Sequence, residues 1–371
     1  MNNKQANQDN IIIAIDAMSG SNAPESIIKA LCIANKCYPD IHFLVYGDST
    51  ILSNLLASCE IQNTSYTICH TNSIVLDTDK PTDPLKIKKD SSMRGVIDAL
   101  LEKKAIACVS SGNTGALMLT ARMVLGSILG IKRPAIAGIF PTLNTDRTIL
   151  LDMGANIGCD EVVLSQFAVM GACLAKVILG KLHPSIGILN VGTEHTKGRE
   201  LEHKTYAILS ESMENFIGYV EGHDVIHGKA DVVVTDGFSG NILIKASEGA
   251  AKTCLQQMRC AFETNIITKL CALILKPYLK RNLEFLDPKY SNGAMFVGIN
   301  GIVVKSHGSS DDIAFANAIG VAINLVKHGV NQKIIDEMNT LSNHNNIHSG
   351  DILEKIKTTS ARIFGLVTKN D

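Results

Sequence analysis

The sequence predicts an α/β protein on a mostly parallel sheet, and three observations carry that reading. Short apolar runs recur along the chain, each closes on a cluster of Gly, Asn, Asp or Ser, and each leads into a helical pattern. The runs are almost continuously hydrophobic instead of alternating. Alternation marks a strand wet on one face, so unbroken runs predict strands covered by helices on both faces, a three-layer α/β/α arrangement.

In chain order, strands are expected at Ile11 to Met18, Ile41 to Gly47, Ala105 to Gly112, Ile149 to Gly154, Ile186 to Gly192 and Asp231 to Gly237. Between them, Pro24 to Cys37, Ser91 to Lys103, Thr114 to Ser127, Glu161 to Leu179 and Arg199 to Phe216 read as helices. Asn241 to Leu283 breaks the rhythm, with helical composition for more length than one crossover helix requires. It is read as a projecting helical pair at 241–286, with Pro277 kinking or ending a helix. The remaining boundaries are a polar tail at 1–10, one large α/β body over 11–340, and a linker with a terminal helix at 351–367 within 341–371.

Composition narrows the function classes. The chain has 371 residues, 46% hydrophobic and 19% charged, which is ordinary for a globular protein. Lys and Arg total 35 against 36 Asp and Glu, Trp is absent, and 5% of residues are aromatic. Neither a strong positive field nor stacking platforms are present, so nucleic acid is not an expected partner. The ten cysteines are scattered, with no C-x-x-C pair, which fits buried thiols in a reducing cytoplasm. The polar N-terminus lacks the pattern of a secretory signal, and no uncharged apolar stretch reaches the roughly 18 residues of a membrane span.

Chemistry is expected at strand ends, because ligands in open parallel sheets bind outside the carboxyl edge. Asp16 to Gly20 forms the first such loop. In the second, Ser110 to Gly115, small residues allow backbone N–H groups near Gly112, Asn113, Thr114 and Gly115 to approach an anion at the start of a helix. Asp152 to Asn156 and Asn190 to Gly198 follow, then Asp236 to Asn241 with Lys245 one turn into a helix, and Lys305 to Asp311 with His307. Taken singly, each is also what a tight β-to-α turn needs for geometry alone. As a set, carboxamides, glycines and a few cations at successive strand ends are expected to converge on one crevice. No Walker loop, nucleophile elbow or dinucleotide fingerprint is present, which counts against an ATPase, a serine hydrolase and an ordinary Rossmann dehydrogenase. Asp16, Asp152 and Asp236 sit on separate strands without ligand spacing, so neither a metal nor a cofactor is expected.

Read together, DAMSGSNAP (16–24), KKDSSMR (88–94), SSGNTGA (110–116), LDMGAN (151–156), QFAVMG (166–171), DGFSGN (236–241) and KSHGSSD (305–311) resemble the motifs of the bacterial phosphate acyltransferase (PlsX) family. The match runs in order from about Ile11 to Val330. It departs in the first motif, where Ser19 and Ser21 stand in place of an expected Gly and Asp, and at Thr193, where an acid is expected. The resemblance implies a fold like that of phosphotransacetylase and the isopropylmalate dehydrogenase group. It also implies transfer of an acyl chain from acyl-carrier protein to inorganic phosphate, giving acyl phosphate for phospholipid synthesis, and a homodimer on the inner membrane surface.

On that reading Lys305, His307, Asn241 and Lys245 are candidate catalytic residues. Asp16, Gly112, Asn113, Thr114, Gly115, Asp152, Asn156, Asn190 and Asp236 are candidate phosphate or substrate ligands. Leu270, Leu273, Ile274 and Lys276 form an amphipathic tip suited to an anionic membrane surface or a dimer contact. A membrane glycerol-3-phosphate acyltransferase is the expected consumer of the product. Transfer from acyl-coenzyme A and a non-catalytic membrane scaffold are the competing readings.

Overall fold

The computed structural model describes residues 11–59, 61, 65–143, 147–283 and 292–344. The polar tail at 1–10 and the terminal helix expected at 351–367 lie outside the described residues. Among those described, the chain forms two compact units, the first from residues up to 128 with 292–331, the second from 129 onward and from 332. The α/β body read over 11–340 spans both units.

The first unit holds β1 (Ile12–Asp16), β2 (His42–Gly47), β3 (Tyr66–His70), β4 (Ala107–Ser110), β10 (Ala294–Val297) and β11 (Ile302–Lys305). Their order is β3-β2-β1-β4-β11-β10, parallel except for β10, which runs antiparallel to β11. Ile13, Ala14 and Ile15 of β1 are all fully buried. Successive strand residues point to opposite faces, so this requires cover on both sides. The cover comes from α1 (Glu25–Cys37), α4 (Ser92–Leu101), α5 (Thr114–Leu125) and α11 (Asp312–Lys327), among which α4 packs on β1 and α11 on β11 and β4. The chain leaves β1 for β2 on one side and returns to β4 on the other, which makes the carboxyl ends of β1 and β4 a topological switch point.

The second unit holds β5 (Ala135–Pro141), β6 (Arg147–Leu151), β7 (Ile186–Leu189), β8 (Phe216–Val220) and β9 (Val232–Val234), ordered β5-β6-β9-β7-β8. Only the β5–β6 pairing among them is antiparallel. Helix α6 (Glu161–Ile178) packs against β6, β9 and α7 (Glu200–Ser212). It is long and apolar enough by composition to span a bilayer, yet 67% of it is buried inside the protein and Glu161 and Lys176 stand near its ends.

The helical pair runs as α9 (Gly237–Glu263) and α10 (Ile266–Leu283), so it begins four residues earlier than the sequence reading. Helix α10 continues through Pro277 instead of ending there. The ring removes one hydrogen bond, to the carbonyl of Leu273, and Leu273 is 70% exposed, so water can satisfy that carbonyl. At the other boundary, α12 (Val330–His344) runs past 340, so the linker expected from Leu341 starts inside a helix.

Candidate active site

In the first unit the strand ends are tied by a buried carboxylate. Asp16 closes β1 with no exposure, and its Oδ2 accepts from Ser110 Oγ at 2.6 Å, while Oδ1 accepts from Met18 N at 3.4 Å. Ser110 Oγ accepts in turn from Gly112 N at 3.1 Å. Ser111 Oγ donates to the Ser19 carbonyl, so the 16–20 loop is fastened to the 110–112 loop at two points. Asp16 thus shapes backbone and has both oxygens engaged.

Asn113 is the N-cap of α5. Its Oδ1 accepts from Ala116 N at 3.0 Å and its Nδ2 donates to the Asp77 carbonyl at 3.1 Å. A helix leaves its first N–H groups without intrahelical acceptors. Ala116 N is met by the cap and Leu117 N by the Asn113 carbonyl at 2.9 Å, so the donors of exposed Thr114 and Gly115 remain for an anion at the positive end of the helix.

Lys305 ends β11 directly beside Ser110 in the register of β11 and β4. Its side chain is largely buried, and Nζ donates to the Ser111 carbonyl at 3.3 Å and to the Ser306 carbonyl. A cation is therefore held against the same loop that precedes the α5 N-terminus. His307 follows on an exposed turn. Its Nδ1 accepts from Ser309 N at 3.2 Å and lies 2.9 Å from Ser309 Oγ, which assigns the proton of the neutral ring to Nε2. The helix that follows is capped by Asp311, which accepts from Ala314 N at 3.0 Å.

The turn itself is anchored by a residue that sequence reasoning missed. Asn292 Oδ1 accepts from His307 N at 2.9 Å, and its Nδ2 donates to Ser306 Oγ at 2.8 Å and to the Ala314 carbonyl at 2.7 Å. Nothing in its local sequence could have flagged it, because the turn it anchors lies across β10 and β11.

In the second unit the residues singled out mostly build the loops they belong to. Asp152 is fully buried. Its Oδ1 accepts from the N–H groups of Ile136 and Ala155, both at 3.0 Å, and of Gly154 at 3.2 Å; its Oδ2 accepts from Asn156 N at 2.7 Å and Nδ2 at 2.9 Å. Asn156 Nδ2 also donates to the Pro134 carbonyl at 2.8 Å, so both its amide hydrogens are spent within the fold. Asn190 spends its own two on the carbonyls of Gly192 and Lys197, holding the 190–198 loop closed. Asp236 caps α9 through Ser239 N at 2.7 Å and accepts from Arg199 Nη2 at 2.7 Å. Arg199 also pairs with Glu202, and these two carboxylates, Glu202 first, hold its pKa above even the ordinary guanidinium value. The helical pattern of this region hid that link.

The N-terminus of α9 lies tight on the 152–156 loop. A Cβ on Gly237 would come within 2.8 Å of Asn156 N, and one on Gly240 would collide with the Asp152 carbonyl, so both positions of DGFSGN need glycine. Asn241 and Lys245 are exposed on α9, with Lys245 Nζ 3.0 Å from Glu248 Oε2. Leu270, Leu273, Ile274 and Lys276 are exposed on α10.

Cys159 follows the Asp152 loop, but burial first, then the negative charges of Asp152 and Asp236, push its thiol up to about 12. It is not a thiolate at neutral pH. Among the described residues, no group of three or more His, Cys, Asp or Glu side chains comes together as a metal site.

The fold defines the class first: the structure is similar to a phosphotransacetylase from Streptococcus pyogenes, with a TM-score of 0.57 and 17% identity, covering 86% of this chain and 95% of that one. It is similar also to EutD phosphotransacetylase from Staphylococcus aureus, with a TM-score of 0.51 and 14% identity over 85% and 94% of the two chains. A family model described as "Fatty acid synthesis protein" matches residues 11–333. A phosphate acyltransferase from Rhodospirillum centenum is 43% identical over 328 residues, 88% of this chain and 92% of its own. One from Legionella pneumophila is 43% identical over 340 residues, 90% and 98% of the two. The chain belongs to the phosphate acyltransferase family and is an acyltransferase.

The Asp152 hydrogen bonds give a direct test. An Asn at this position places N–H hydrogens where backbone donors already point, so Asp152→Asn should destabilise the protein by about 2–4 kcal/mol in chemical denaturation followed by circular dichroism.

Proposed function

We propose that the protein transfers a fatty acyl group from acyl-[acyl-carrier protein] to inorganic phosphate, reversibly, giving acyl phosphate for phosphatidic acid synthesis. The observation that carries this reading is the α5 N-terminus at a topological switch point, with the buried Lys305 ammonium against the loop that leads into it. Donors at a helix end and a fixed cation suit a dianion.

Phosphate carries roughly 1.5–2 negative charges at neutral pH, by analogy with phosphoryl groups. It therefore needs orientation more than deprotonation. One of its oxygens attacks the thioester carbonyl carbon, the C–S bond breaks, and the pantetheine sulfur leaves with the electron pair. A thiol of pKa near 8.5 leaves readily, so no protein nucleophile is required. Lys305 balances the charge of phosphate and its attacking oxygen. The Nε2–H of His307 is suited to donate to the carbonyl oxygen or the departing sulfur, and one well-placed donor contributes about 3–4 kcal/mol.

Asp16, Asp152, Asn156, Asn190 and Asp236 act in this scheme by positioning backbone, with their hydrogen bonds spent inside the fold. Lys245 and Asn241 remain candidates through their place in the first three turns of α9. The similarity to phosphotransacetylases favours a second reading, in which acyl-coenzyme A is the donor. In parallel reactions with radiolabelled phosphate, palmitoyl-acyl-carrier protein should yield labelled acyl phosphate and palmitoyl-coenzyme A should not. The reverse result selects the second reading, and no product from either donor removes both.

Cytoplasmic location at the inner membrane surface, a homodimer, and hand-over of product to a membrane glycerol-3-phosphate acyltransferase belong to the same proposal. The exposed Leu270, Leu273 and Ile274, beside Lys276, support it. A dimer would present two such tips and gain avidity. Replacing Leu273 and Ile274 by Asp should sharply lower sedimentation with phosphatidylglycerol vesicles while turnover of a soluble donor stays within about twofold. Equal sedimentation of variant and wild type contradicts the membrane assignment.

A further inference from the structure

The KKDSSMR stretch (88–94) has no part in the proposed reaction, yet its first lysine is held by specific partners. Lys88 Nζ donates to the Ile74 carbonyl at 2.7 Å and pairs with Asp79 Oδ2, with the two side chains only 23% and 17% exposed. Both residues belong to the connection between β3 and α4. The ends of that connection meet: Ser73 Oγ donates to Asp90 Oδ1 at 2.8 Å, Ser92 N donates to the Ser73 carbonyl at 3.3 Å, and Ser73 bridges to Ser91, the cap of α4. Lys88 fastens the loop a second time, farther from its base.

This second fastening sets one turn. Asp79 Oδ2 also accepts from Leu76 N at 2.7 Å, and Asp79 N donates to the Leu76 carbonyl at 3.1 Å, so residues 76–79 close on a carboxylate whose charge Lys88 balances. Lys88 first, then the Leu76 N–H, hold that carboxyl below its ordinary range, which keeps it ionised at neutral pH. Inside the turn lies Asp77, whose carbonyl accepts from Asn113 Nδ2 at 3.1 Å. That bond leaves Asn113 Oδ1 for Ala116 N, and so fixes which end of the carboxamide caps α5. Pro81, two residues past Asp79, lies over the same helix end: a Cβ on Gly115 would stand 3.4 Å from Asn113 Oδ1 and 3.6 Å from Pro81 Cγ. The loop that Lys88 fastens is thus a wall beside the N–H donors of Thr114 and Gly115.

Resting on the phosphate site proposed at the α5 N-terminus, we infer that Lys88 is a positioning residue for inorganic phosphate. It acts through Asp79 and the 76–79 turn, which hold the Asp77 carbonyl against the Asn113 amide and so keep the cap, and the N–H donors beside it, in the orientation that receives the anion. Lys88 itself does not touch phosphate, because its ammonium is turned to Ile74 and Asp79. A cap that has lost this bond loosens the first turn of the helix, and donors that must be reordered on binding hold an anion less tightly. The inference separates position from charge. If nearby charge alone mattered, neutralising Asp79 would favour phosphate; if the turn matters, it disfavours phosphate.

The test compares wild type with K88M, D79N and K88R, the last keeping the charge and the donors. Two readouts are taken: steady-state kinetics with each substrate varied in turn, and thermal unfolding with inorganic phosphate titrated against sodium chloride of equal ionic strength. K88M and D79N should each raise the KM for phosphate about three- to tenfold, with kcat and the KM for the acyl donor changed less than about twofold. K88R should return the KM for phosphate to within about twofold of wild type. Without phosphate the four proteins should unfold at nearly the same temperature, because a partly exposed ion pair contributes little to global stability. The phosphate-dependent rise in Tm should shrink in K88M and D79N alone. An unchanged KM for phosphate in K88M, an unchanged or lower one in D79N, or no recovery in K88R would overturn the inference. If wild type makes no acyl phosphate from any donor, the proposed reaction falls, while the phosphate-dependent Tm shifts of the four proteins still decide the role of Lys88.

Discussion

The hydrogen bond from Ser110 to Asp16 joins the ends of two adjacent parallel strands, and the geometry of the candidate site in the first unit depends on it. A carboxylate with no exposure is tolerated because its oxygens are met by a hydroxyl and a backbone N–H. Ser110, so fixed, receives Gly112 N and sets the path into the cap of α5. Lys305 then lies against the next carbonyl of the same loop. If Asp16 were unable to accept, the donors at the helix end and the cation would lose their common frame. In the second unit Asp152 does the comparable work with five hydrogen bonds, holding the 152–156 loop on which α9 begins.

This division between residues that shape a loop and residues that face a ligand was not legible in the sequence. Asp and Asn at strand ends are the types that bind anions, cap helices and close turns, because all three tasks need a short side chain with a polar tip. Asp152, Asn156, Asn190 and Asp236 were read as ligands, and the structure shows the carboxylates of the first and last and the amide N–H groups of the two asparagines used within the fold. Asn292 was invisible for the opposite reason: its partners are distant in the chain.

The fold was more legible than the site. Strands buried on both faces leave continuous apolar runs, so β1, β2, β4, β6, β7 and β9 were found, and all but β2 were carried two or three residues past their carboxyl ends, since the polar loops were counted with the strands. β3, β5, β8, β10 and β11 were missed. The pairings of β5 and β10 are antiparallel and depart from the β-loop-α rhythm that guided the reading.

Catalysis in this account comes from holding phosphate, neutralising charge and offering a proton, with no acyl group ever carried by the protein. Cys159, with its thiol pushed up to about 12, fits that view. The most direct test is the intact mass of the protein after incubation with palmitoyl-acyl-carrier protein in phosphate-free buffer, followed by addition of phosphate. The account predicts an unmodified protein throughout and acyl phosphate only after phosphate is added. A palmitoyl adduct that forms without phosphate and disappears on its addition would contradict it.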